Sequence, residues 1–151
     1  MKEGIYKLNW VINFMKKENG FIFLEHMADI KFQAFGKTLE KAFENSALAF
    51  SSYISSGGKI SSKRSKTIEI KAENNESLLY NFLDELIYLL DAEGFAVAAA
   101  KVQIKDNKLT AELKGDDIKN YHLNHVKAAT YAEMHIKKSK SEWEVQAVLD
   151  V

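Results

Sequence analysis

Thr67-Ile68-Glu69-Ile70-Lys71-Ala72-Glu73-Asn74-Asn75-Glu76-Ser77-Leu78-Leu79-Tyr80-Asn81-Phe82-Leu83 changes its hydrophobic period part of the way along. Ile68 and Ile70 alternate with Glu69 and Lys71, so one face is apolar and the other charged, as a half-buried strand requires. Glu73-Asn74-Asn75 is a polar turn that supplies an Asn cap. From Leu78 the apolar residues recur at helical spacing, through Leu79, Phe82, Leu83, Leu86, Ile87, Leu89 and Leu90, until Gly94 offers a helix stop. A strand runs directly into an amphipathic helix, which implies a sheet with at least one helix packed on it.

The same grammar extends in both directions. Upstream, Phe21 to Leu24 is a short apolar run, and Ile30, Phe32 and Ala34 share one face while Lys31 and Gln33 point away. Gly36 closes that strand and Thr38 is a suitable N-cap. A first helix then follows in Leu39, Ala42, Phe43, Ala47, Phe50, Tyr53 and Ile54, stopped by Ser55-Ser56-Gly57-Gly58. Downstream, Ala96 to Ile104 and Lys108 to Leu113 flank Asp106-Asn107 as a hairpin. Tyr131 to Lys137 and Trp143 to Leu149 form a second hairpin around Lys138-Ser139-Lys140-Ser141. The order is strand, helix, strand, helix and four strands, the pattern of an α+β domain with a largely antiparallel sheet.

Composition narrows the function. The 151 residues are 46% hydrophobic and 28% charged, the usage of one ordinary folded domain. There is no cysteine, which removes disulfides, thiolate metal sites and thiol catalysis together. Any metal is left to oxygen or imidazole. Lys and Arg number 21 and Asp and Glu 21, so no global positive field draws the chain onto nucleic acid, and RNA contact is expected to be weak or indirect. No apolar run approaches the roughly 20 residues that span a bilayer, and no signal-peptide core is present. A cytoplasmic location without membrane contact is expected. Glycine-rich phosphate loops, the His-Glu-x-x-His pair and EF-hand ligand series are missing, which argues against a nucleotide enzyme. Lys59, Lys63, Arg64 and Lys66 form a basic run without interleaved aromatics and are read as a solvated loop. His122 and His125 have no accompanying ligand and are not taken as a zinc pair.

Three places depart from a plain core-and-surface pattern. Glu25-His26-Met27-Ala28-Asp29 interrupts an apolar region with charge, either as a polar turn or because the charges have work to do. Val148-Leu149-Asp150-Val151 ends an apolar strand with a carboxylate beside the α-carboxylate; it is either a frayed terminus or a pair of hard donors. If the last strand packs beside the one beginning near Asp29, these groups converge on one hard cation. His125-Val126-Lys127-Ala128-Ala129-Thr130-Tyr131 sets a lysine at the mouth of a strand, where it either snorkels to solvent or meets carboxylates or phosphate.

In order, these strings resemble the archease family. The likeness rests on Leu24-Glu25-His26-Met27-Ala28-Asp29-Ile30, on Gly36-Lys37-Thr38-Leu39-Glu40-Lys41-Ala42-Phe43-Glu44-Asn45, and on Leu78-Leu79 through Leu90-Asp91. It continues in Gly115-Asp116, Val126-Lys127-Ala128-Ala129-Thr130-Tyr131 and Val148-Leu149-Asp150-Val151, covering residues 21–151. The resemblance implies a strand-helix-strand-strand core with two helices on the sheet and further C-terminal strands. It also implies a non-enzymatic activator of an RtcB-type RNA-splicing ligase, which promotes ligase guanylation and multiple turnover in tRNA splicing. Asp29, Asp150 and Val151 then correspond to the ligands of a divalent cation, calcium first and magnesium second, with Lys127 in the same activating cluster. Met27 stands where the family usually has Thr, and Ala132 where a histidine is often found.

Residues 1–20 lie outside the resemblance and are read as an N-terminal extension, helical or flexible, with Tyr6, Trp10 and Phe14 at helical spacing and an alternative start at Met15. Two other functions remain: a metal-independent chaperone-like or RNA-interaction module, and a small metal-dependent hydrolase using Asp29 or His26 as base.

Overall fold

The computed structural model describes residues 19–151. The readings of Tyr6, Trp10, Phe14 and Met15 lie outside the described residues. The chain forms β1 (Phe21–Leu24), β2 (Asp29–Gly36), α1 (Leu39–Ile54), β3 (Arg64–Lys71), α2 (Asn75–Ala92), β4 (Phe95–Lys105), β5 (Lys108–Asp117), β6 (Ala128–Lys138) and β7 (Trp143–Asp150). A 3₁₀ turn, Ile118–Asn120, leads out of β5.

Local chemistry explains the boundaries. The Thr38 hydroxyl accepts from the Lys41 N–H and the Asn74 side chain from the Ser77 N–H, so each helix has a bonded N-cap. Past α2, Gly94 takes the left-handed backbone (φ 61°) that ends a helix at little cost. Asp106 and Asn107 are both left-handed between the paired Lys105 and Lys108, as a tight hairpin of matching twist demands.

All strand pairs are antiparallel, but they form two ladders rather than one: β1-β2-β7-β6 and β3-β5-β4. The helices hold them together. α1 packs on β2 and β4, and α2 on β6 and β4, so each helix touches both sheets. The apolar faces of both sheets and both helices thereby drain into one core that includes Phe32, Phe43, Phe82, Leu83, Phe95, Leu113 and Leu149. Of the basic run, Lys59 and Lys63 lie in the loop expected of it, whereas Arg64 and Lys66 open β3, paired with Gly115 and Leu113, with their cationic heads 5.6 and 5.8 Å from the centre of the Phe95 ring.

Gly115 shows how closely the three-stranded sheet is built. A Cβ there would collide with the Ala96 carbonyl oxygen and lie 2.7 Å from Phe95 Cζ. Gly115→Ala is expected to destabilise by about 3 kcal/mol, at the severe end of overpacking, because the obstacle includes backbone. A urea midpoint lowered without change of slope is the expected signature.

Beside it, Asp116 is 3% exposed. The Tyr121 hydroxyl, then the Asp117 N–H and Asn120, hold its carboxyl below the usual carboxylate range. A depressed folded-state pKa gives stability that is present above the unfolded value and lost as pH falls through the folded one. Tyr121→Phe is therefore expected to lower stability at neutral pH, with the difference from wild type narrowing below the ordinary carboxylate range to what the lost Ser61 N–H bond leaves. Urea melts across the acid limb check this.

Candidate functional site

Strand register brings the separated anomalies to one end of the four-stranded sheet. Asp29, the first residue of β2, pairs with Asp150, the last of β7, and Asp150 pairs in turn with Ala128, the first of β6. The Lys127 N–H donates to the Asp150 carbonyl at 2.8 Å. Directly opposed residues of an antiparallel pair project from the same face, so the two aspartates share a side of the sheet. That side is the one turned away from the helices, since Phe32 and Ala34 on β2 and Ala147 and Leu149 on β7 point into the core.

Asp29 is half-buried, Asp150 and Lys127 are exposed, and Val151 follows β7 as a half-buried last residue. Among the described residues no ion pair joins Lys127 to either carboxylate, and no three His, Cys, Asp or Glu side chains are gathered closely enough to hold a metal. The two aspartates that the register sets side by side offer hard oxygen donors on one face of the sheet. Such a set suits calcium or magnesium by hardness and would fill only part of either ion's shell.

A second set of polar groups lies on the same face. The β6–β7 ladder loses pairing between Thr130 and His135. In that gap Glu133 adopts a left-handed backbone (φ 53°), which is costly for a non-glycine residue. Its carbonyl accepts from the Gln146 side chain at 2.6 Å, and Gln146 in turn accepts from Gln33 at 2.9 Å. Its carboxylate meets His26 Nε2 at 2.8 Å and Lys31 Nζ at 3.4 Å. Those two hydrogen bonds, His26 first, hold the Glu133 carboxyl below the usual range.

Because β7 runs between β2 and β6, the Lys31–Glu133 bridge passes over Val148, which pairs with both Lys31 and Thr130 and is 1% exposed. Gln146, a polar residue among Val145, Ala147 and Val148 and 7% exposed, was a sign of this network beside the already conspicuous His26. Nothing in the string Tyr131-Ala132-Glu133 announced the bulge. On the other side of His26 the loop projects outward: Ala28 is left-handed (φ 63°) and Met27 is 91% exposed. Glu25, His26, Met27, Lys31 and Glu133 line a shallow surface depression beside Asp29. His125 lies 3.9 Å from Asp91, at the far end of α2, and is exposed.

Comparison with known proteins adds independent information. Residues 21–151 match the model of the Archease protein family. The archease of Pyrococcus furiosus is 42% identical over 135 residues, covering 84% of this chain and 95% of that protein. Among solved structures, the solution structure of Methanobacterium thermoautotrophicum protein 1598 superposes with a TM-score of 0.73 at 31% identity, covering 88% of this chain and 99% of that one. A crystal structure from Thermotoga maritima, described as an archease and possible chaperone, shares the fold with a TM-score of 0.62 at 19% identity, covering 85% and 94%.

Proposed function

The chain belongs to the archease family, and from that premise we propose that it is a non-enzymatic accessory protein that activates an RtcB-type RNA-splicing ligase by promoting ligase guanylation and repeated turnover. The observation that carries the reading is the register that sets Asp29 beside Asp150, with Lys127 bonded to the same strand end.

Asp29, Asp150 and Val151 would hold one divalent cation, calcium first and magnesium second. Bound there, the ion would supply a fixed positive charge able to organise phosphate oxygens. The residues have their own tasks. The two aspartates give the sheet end a negative pole, and Lys127 brings a cationic head to the same edge. A partly filled shell leaves positions for water or for an oxygen of the partner, as suits a group presented to another protein's active site. The zero net charge of the chain supplies no global positive field toward a phosphate backbone, in keeping with RNA contacted only indirectly. No described helix is long and apolar enough to cross a membrane, and we place the protein in the cytoplasm with the splicing ligase.

The test is a ligation assay with limiting ligase and excess broken RNA, with and without this chain. Repeated turnover only in its presence is the expected result. The second reading, a metal-independent chaperone-like or RNA-interaction module, draws on the description of the Thermotoga maritima protein as a possible chaperone. Chelator separates them, because a module of that kind keeps its effect when divalent cations are removed.

A further inference from the structure

We infer that the stripe formed by Tyr80, Asp84, Tyr88 and Asp91 along α2, with Tyr131 of β6 beside it, is a docking surface for an arginine- or lysine-bearing segment of a partner protein. With the ligase of the proposed function as that partner, the stripe is a contact additional to the cation site, and in this it rests on that reading.

Spacing puts the four helix residues together. Steps of four, four and three return to one side of a helix, so tyrosines and carboxylates alternate along about 16 Å of α2. Asp84 and Asp91 are exposed, and Tyr88 is 54% exposed. At one end Tyr80 stacks on Tyr131, with ring centres 4.3 Å apart and planes 5° apart, and Tyr131 is itself 54% exposed. At the other end Asp91 lies 3.9 Å from His125. The stripe therefore runs beside residues 125–131, the stretch that carries Lys127.

Charge decides what covers it. α2 carries four carboxylates, Glu76, Asp84, Glu85 and Asp91, and no lysine or arginine. Asp91 stands in the last turn and Glu93 follows as the C-cap, where the helix carbonyls already disfavour negative charge. Burial first, then the neighbouring charges of Glu93 and Asp84, push the Glu85 carboxyl above its usual range. Among the described residues Asp84 enters no ion pair, and the partner of Asp91 is a histidine that is charged only when protonated. Local choices that oppose the helix and are left uncompensated mark a surface kept for function. A guanidinium or ammonium head meets both halves of the stripe at once, pairing with a carboxylate while lying over a tyrosine face. Nucleic acid does not fit, because the same carboxylates repel its phosphates.

The test is calorimetric titration of the full chain into the partner ligase, beside the turnover assay run over a range of chain concentrations. Asp84→Lys and Tyr88→Ala are each expected to weaken binding about ten-fold, with the melting temperature unchanged. The chain concentration giving half-maximal turnover should rise by the same factor, while turnover at saturation stays at the wild-type level, unlike the loss expected at the cation site. Tyr88→Phe, which keeps the ring, should bind as wild type does. Added salt should weaken the wild-type complex more than that of Asp84→Lys. Wild-type affinity in either Asp84→Lys or Tyr88→Ala overturns the inference. Binding without stimulation by the wild-type chain overturns the activator reading, and the affinities still judge the stripe; no binding at all overturns both.

Discussion

Asp150→Ala is expected to reduce ligation to about one product per ligase, while the variant chain keeps its melting temperature. The two halves of that expectation come from different parts of the structure. Asp150 is exposed, and β7 is held to β2 and β6 by its backbone, so deleting the carboxylate leaves the ladders intact. The function assigned to it depends on the charge alone. Asp150→Asn, which keeps the shape and loses the charge, should therefore fail as completely as alanine. Asp29→Ala and Lys127→Ala should fail with it, because the proposed function assigns all three to one activating site. If all the variants stimulate the ligase as wild type does, the site assignment is wrong.

The largest effect on stability is expected from Phe82→Ala. Phe82 is fully buried on α2, and its ring centre lies 5.9 Å from that of Phe43 on α1. The helices meet there, and each of them bridges the two sheets. Truncation leaves a cavity that rigid strands on both sides cannot close, so the cost falls in the range of about 3–5 kcal/mol typical of buried Phe→Ala. In a domain of this size that corresponds to a melting temperature about 10 °C lower, readable by calorimetry. Tyr88→Ala on the same helix, where the ring is 54% exposed, should change it little.

The contrast between those two side chains shows what was legible in the sequence. The period of Leu78 to Leu90 placed Phe82 inside, and Thr38, Asn74 and Gly94 marked the helix ends, because caps and stripes are local chemistry. Family membership was legible as well, carried by strings spread over residues 21–151. The division into two sheets was not. Every strand alternates alike whichever partner it takes, and only the third dimension tells β5 to pair with β3 and β4 and β7 with β2 and β6.

The candidate site divides in the same way. Asp29, Asp150 and Lys127 stood out as charges at strand ends, but what they adjoin depends on register across more than a hundred residues. Glu133 did not stand out at all, since a polar residue between Ala132 and Met134 is what an exposed strand position would carry. Its left-handed backbone has no local cause in glycine or asparagine; the hydrogen bonds of Gln146, His26 and Lys31 hold it there.

The gap in β6 also bears on behaviour at high concentration. Sheet margins with unpaired amides are templates on which other molecules can add strands and grow into aggregates. Among the described residues one margin of the larger sheet is β1, only four residues long, and the other is β6, whose regular pairing with β7 stops between Thr130 and His135. Neither offers a straight row of donors long enough for an incoming strand to zip along. The distortion that carries Glu133 thus also blunts the rim where self-association would otherwise start.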